Sequence, residues 1–89
     1  MNNFVFITGA TAGFGEACAR LFAENKWNLI ITGRRKERLD ALQEELVNKY
    51  SVDVVSLCFD VRIQDEVISQ IQSLPAEITE KIDILINNA

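Results

Sequence analysis

The 89-residue sequence predicts an α/β fold of three layers, a parallel sheet of four strands in the order 3-2-1-4 between two layers of helices. Three observations carry this expectation. Apolar, β-branched runs alternate with helical segments along the whole chain, the pattern of linked βαβ units. Each strand candidate is close to apolar throughout, as strands covered on both faces are. And the first strand runs into "TGATAGFG" (8–15), a loop of small residues and three glycines that opens a helix.

The elements follow in order. "NFVFIT" (3–8) is a strand rich in Phe, Val and Ile. Beyond the glycine loop, "EACARLFAEN" (16–25) sets Ala17, Cys18, Leu21 and Phe22 along one helical stripe. "WNLIITG" (27–33) is the second strand, ended by glycine. "KERLDALQEELVNKY" (36–50) is the clearest helix, with Leu39, Leu42 and Leu46 on one face and charges around the rest. "VDVVSLCF" (52–59) is the third strand. Asp60 to Ser73 continues as a helix carrying Val67, Ile68 and Ile71, then Leu74, and Pro75 stops it. "AEITEK" (76–81) reads as a connecting loop and "IDILINNA" (82–89) as the fourth strand.

Right-handed crossovers turn this order into a layout. Two crossovers step outward and the third returns past the first strand. The helices at 16–25 and 36–50 then cover one face, and the helix near 64–74 covers the other. Strand order reverses between the first and fourth strands, and open parallel sheets bind ligands in that crevice. The glycine loop and "NNA" (87–89) border it together.

Length and composition allow one small domain, residues 1–89. The net charge of −4 argues against nucleic acid or an anionic membrane as partner, and no apolar run is long enough to span a bilayer. There is no histidine, which removes His-based acid–base chemistry and His-ligated metal from this chain. Cys18 and Cys58 stand 40 positions apart in a helix and a strand, so the expectation is two buried, reduced thiols and a cytoplasmic protein.

Each glycine of the loop has a separate reason. Gly9 permits the tight turn out of the strand, Gly13 lets a diphosphate approach backbone N–H groups, and Gly15 lets the helix pack close to the strands. The helix N-terminus adds free donors and partial positive charge. Thr8 and Thr11 supply hydroxyls that tie the loop or meet a phosphate. The residues after Gly15 are Glu16 and Ala17, not the Lys-Ser/Thr of a P-loop. The second strand ends in "TGRRKER", where an acidic residue would bond the ribose of NAD. Arg34 and Arg35 stand there instead, each able to grip the 2′-phosphate of NADP. As a mere solvated charge run they would oppose the helix dipole.

With these motifs the chain resembles the short-chain dehydrogenase/reductase family. "TGATAGFG" (8–15) matches its T-G-x-x-x-G-x-G, "DV" (60–61) stands where the family contacts adenine, and "NNA" (87–89) begins its N-N-A-G. Within the family it looks most like the NADP-dependent 3-hydroxy acid (serine-type) dehydrogenases. The resemblance implies a Rossmann-like half-domain that binds NADP in preference to NAD. Gly9, Ala10, Thr11, Ala12, Gly13, Phe14 and Gly15 would hold the diphosphate, and Arg34 and Arg35 the 2′-phosphate. Asp60 and Val61 would border the adenine. Asn87 and Asn88 would pin the fourth strand and approach the adenine-side ribose. The plainer roles are a helix N-cap for Asp60 and turn formation for the asparagines.

The family's catalytic Ser and Tyr-x-x-x-Lys are not matched, since the single tyrosine is Tyr50 and position 54 is valine. The expectation is therefore the cofactor half of an oxidoreductase that interconverts an alcohol and a carbonyl of a small-molecule substrate, inactive as this chain alone. The competing expectation is a stand-alone, non-catalytic dinucleotide-binding module. Without a neighbouring fifth strand, residues 83–87 would form an open sheet edge and self-associate into a homo-oligomer.

Overall fold

The computed structural model describes residues 3–59 and 63–88. The elements in chain order are β1 (Phe4–Ile7), α1 (Gly13–Glu24), β2 (Asn28–Gly33), α2 (Lys36–Tyr50), β3 (Val54–Cys58), α3 (Gln64–Gln72), α4 (Ala76–Thr79) and β4 (Ile82–Ile86). The four strands are parallel and lie in the order β3-β2-β1-β4, as the sequence predicts.

Alternation along the strands sorts their side chains into two cores. Val5, Ile7, Leu29, Ile31 and Val54 meet Ala19 and Ala23 of α1 and Leu39, Leu42 and Leu46 of α2. Phe4, Phe6, Ile30 and Leu57 face the other way, with Val67 of α3 and Ile78 of α4 packed against them. Val5, Ile7, Leu29, Ile30 and Ile31 are completely buried, each contributing about 1.5–3 kcal/mol of transfer free energy.

Several boundaries differ from the sequence reading, each for a local reason. Helix α1 begins at Gly13, whose φ of +45° is a conformation that glycine adopts without a steric cost. The stretch read as a connecting loop winds one turn of helix, α4, behind Pro75, whose φ of −60° is already set for it. Ile63 occupies the N-cap of α3, and Asp60, read from the sequence as a candidate cap, lies outside the described residues. Both cysteines are free, but neither is buried as the sequence reading expects: Cys18 is half-buried on α1, and Cys58 is exposed on β3, an edge strand.

The two edges of the sheet are unlike. The Leu29 N–H donates to Asp53 O and the Phe59 N–H to Gly33 O, so the main chain of Val54, Ser56 and Cys58 faces away from β2. Gln43 of α2 reaches that edge. Its Nε2 donates to Val54 O at 2.6 Å, and its Oε1 accepts from Ser56 Oγ at 3.1 Å. At the other edge Leu85, paired in register with Phe6, turns its main chain outward and is 67% exposed.

Candidate functional site

The site is built where β1 ends. The Thr8 N–H still donates to Ile86 O at 2.9 Å, holding β1 to β4. Gly9 then turns with φ +62°, and a Cβ there would lie 2.6 Å from Asn88 O. A side chain is excluded by both conformation and space. The Ala10 N–H donates to Thr32 O at 2.9 Å, which ties the loop sideways to β2. Thr11 lies over Gly33, and Ala12 is the extended N-cap of α1.

The three glycines divide into two kinds. A Cβ at Gly15 would stand 2.4 Å from Gly9 O and 2.7 Å from Asn88 Nδ2, so Gly15 closes the loop on itself. Gly13 is the opposite: φ is +45° and no atom lies within 4 Å of where a Cβ would be. No side chain caps α1 there. The leading N–H groups of a helix have no intrahelical acceptor, so this end presents donors and the positive pole of the helix to open space.

Asn88 holds the loop from below. Its Nδ2 donates to Gly9 O at 3.2 Å and its backbone N–H to Thr8 Oγ1 at 2.9 Å. That hydroxyl donates in turn to Asn87 Oδ1 at 2.9 Å. Two asparagines read from the sequence as pinning β4 therefore also organise the glycine loop. Farther along α1, Arg20 bonds Glu16 at 2.5 Å and Glu45 of α2 at 2.8 and 3.0 Å. Hydrogen bonding from Arg20 holds the Glu45 carboxyl below the usual range. It also offsets the charge of Glu16, which would otherwise repel an anion at the start of the helix.

Arg34 and Arg35 leave the end of β2 exposed, and Arg35 is the N-cap of α2. Lys36 beside them is bound to Asp40 at 2.9 Å, a contact that raises its pKa. Among the described residues neither arginine has an ion-pair partner. Glycine loop, asparagines and arginine pair thus gather at the carboxyl end of the sheet, while Asp60 and Val61 lie outside the described residues. Thr32 and Gly33, which contact the loop, carry no mark in the sequence beyond strand and strand end.

An open groove of about 440 Å³ lined by Val47, Val52, Asp53, Val55, Ile78 and Lys81 lies at the amino end of the sheet, away from the loop. Tyr50, at the end of α2, belongs to that same end. Among the described residues no helix is long and apolar enough to cross a membrane.

A doubly wound parallel sheet with a glycine loop at its point of reversal defines an open α/β domain of the kind that binds ligands at the carboxyl edge. The chain belongs to the short-chain dehydrogenase family, whose model matches residues 3–89. It is 48% identical to a sulfoacetaldehyde reductase of Chromohalobacter salexigens over 100% of its own length and 34% of that protein. It is equally, 48%, identical to the NADP-dependent 3-hydroxy acid dehydrogenase YdfG of Salmonella typhi, over 96% of this chain and 32% of the relative. A short-chain dehydrogenase from Sphingobium yanoikuyae, solved in complex with NADPH, superimposes with a TM-score of 0.84 at 36% identity, covering 98% of this chain and 33% of that one. The chain spans about a third of the length of the curated relatives it matches.

Proposed function

We propose that these residues form the NADP-binding portion of a short-chain dehydrogenase/reductase that interconverts an alcohol and a carbonyl, with a 3-hydroxy acid as the favoured substrate class. The observation that carries this is the open backbone at Gly13 on an uncapped helix start, at the same carboxyl end of the sheet as an arginine pair that has no ionic partner among the described residues. That combination fits an anionic dinucleotide with an extra phosphate. The residues of 9–15 would receive the diphosphate, Arg34 and Arg35 the 2′-phosphate, Asp60 and Val61 the adenine, and Asn87 and Asn88 the adjoining ribose. NADPH, when bound, supplies the hydride.

This chain's own part is to bind and orient. The Thr8–Asn88–Gly9 bonds fix the loop before any ligand arrives, so less ordering is required on binding. For the proton at the reacting oxygen the 89 residues offer no Tyr-x-x-x-Lys, and Tyr50 stands at the wrong end of the sheet. The substrate preference rests on the likeness to YdfG and to the serine 3-dehydrogenases, and the equal identity to a sulfoacetaldehyde reductase makes aldehyde reduction its rival.

Fluorescence titration of the 89-residue chain with NADPH and NADH tests the binding. Tighter binding of NADPH is expected, together with no turnover of carbonyl substrates. Equal dissociation constants, or a measurable rate from this chain, would refute the assignment.

A further inference from the structure

At the end of β2, where an acidic residue would read the ribose of NAD, the chain has Gly33. Gly33 is nevertheless buried. Its φ lies outside the left-handed region, so its backbone conformation does not itself require glycine. Space does. A Cβ at position 33 would stand 3.0 Å from Thr11 Cγ2 and 3.1 Å from Thr11 Oγ1, tighter than ordinary packing. A third neighbour, Leu39 Cδ1 at 3.5 Å, is at normal contact distance. A side chain at 33 would therefore begin pressed against Thr11 of the glycine loop, and Thr11 would have to shift by a few tenths of an ångström to admit it.

Resting on the cofactor reading above, we infer that Thr11 is a specificity-determining residue: it crowds the point where a ribose-reading side chain would leave the backbone and leaves recognition at this end to the arginines. Its position is held from both sides. The Ala10 N–H is bonded to Thr32 O at 2.9 Å, and Gly9 is clamped by Asn88. A side chain added at 33 pushes on Thr11 and so strains the tether between loop and β2. An acidic residue at 33 alone thus disturbs the diphosphate loop before it can serve the ribose, and NAD specificity requires positions 11 and 33 to change together.

The test is a double-mutant cycle with Gly33→Ala, Thr11→Ala and the pair, followed by Gly33→Asp with and without Thr11→Ala. Two readouts are used: NADPH and NADH dissociation constants by fluorescence titration, and hydrogen exchange of the Ala10 amide without cofactor. Gly33→Ala should weaken NADPH binding by about fivefold or more and speed Ala10 exchange, and adding Thr11→Ala should reverse both. Gly33→Asp should bind NADH no better than the parent chain, whereas Thr11→Ala with Gly33→Asp should bind it about tenfold better. If Gly33→Asp alone gains NADH binding, or Ala10 exchange ignores both positions, the inference is overturned. If the parent chain fails to bind NADPH, the cofactor reading falls instead, while the exchange measurement still decides the contact between residues 11 and 33.

Discussion

Single residues decide two quantities here, cofactor discrimination and the fate of one buried hydroxyl. Arg34 is exposed and without an ion-pair partner among the described residues, so its guanidinium is available to a phosphate. A charge-assisted contact of that kind is worth about 1.5–3 kcal/mol. Arg34→Ala should therefore weaken NADPH binding by at least about tenfold and leave NADH unchanged, as titration of both cofactors would show. Thr32 presents a different case. Its side chain is completely buried and its Oγ1 has no hydrogen-bond partner among the described residues. An unsatisfied buried hydroxyl costs about 1–3 kcal/mol, and valine has nearly the same shape. Thr32→Val should raise the free energy of unfolding by about 1 kcal/mol in urea titrations; a loss of stability would mean that the hydroxyl has a partner in solution. Neither feature was equally visible in the sequence. The arginines break a rule of helix electrostatics and stand out, whereas the Thr32 hydroxyl and the contact between Thr11 and Gly33 exist only once loop and strand are side by side.

At the scale of elements, legibility followed burial. The central strands β1 and β2 could be read because both faces of the sheet are covered there, which makes their sequences largely apolar; β4 was legible from its Ile-Leu-Ile run although it is only half-buried. The glycine loop was equally plain, since backbone conformation at Gly9 and crowding at Gly15 restrict those positions to glycine. Helix α4 was missed because one turn is too short for any periodicity to show. The junction of α1 and α2 was missed too, as its contacts join residues 25 apart. Here Arg20 bridges Glu16 on its own helix and Glu45 on the next. Its bond to Glu45 lowers the carboxyl's folded-state pKa. A carboxyl depressed on folding stabilises the fold above its unfolded pKa, about 4.3, and that stabilisation is lost as pH falls through the folded value. The side chains of Arg20 and Glu45 are 41% and 38% exposed, so solvent screening holds the contribution below about 1 kcal/mol. Denaturation of the parent chain and Glu45→Gln should differ at pH 7 and converge only as the pH falls through the depressed folded-state pKa of Glu45. Curves separated by the same amount at every pH would show that the carboxylate charge contributes nothing.

For the whole molecule, the contrast between the two sheet edges governs assembly. A bare strand edge templates further pairing unless charge, proline, a bulge or a covering group prevents it. The β3 edge is blocked at its start, because the Gln43 amide occupies Val54 O and holds the Ser56 hydroxyl. β4 has a bulge and the charged Asp83 only at its start, where the register shifts between the Phe4 and Val5 pairings; beyond it, among the described residues, nothing covers the edge, and Leu85 presents both an apolar side chain and an outward main chain. One open edge per molecule leads to a closed result: two copies of β4 pair antiparallel about a two-fold axis, and no edge remains. The expected species is a dimer joined through residues 83–87. Leu85→Lys places a charge on that edge without removing a bond to β1 and should return the chain to monomer in sedimentation equilibrium. Gln43→Ala should act in the opposite direction. It frees the outward groups of Val54 and Ser56, so each molecule then has two open edges, and pairing through both has no geometric end. Open-ended, concentration-dependent oligomers are expected from Gln43→Ala, while the double variant with Leu85→Lys has one usable edge again and should stop at a dimer. A monomeric parent chain would refute pairing through β4. Gln43→Ala sedimenting as the parent does, with its fold intact, would show that β3 is held closed by something other than this amide.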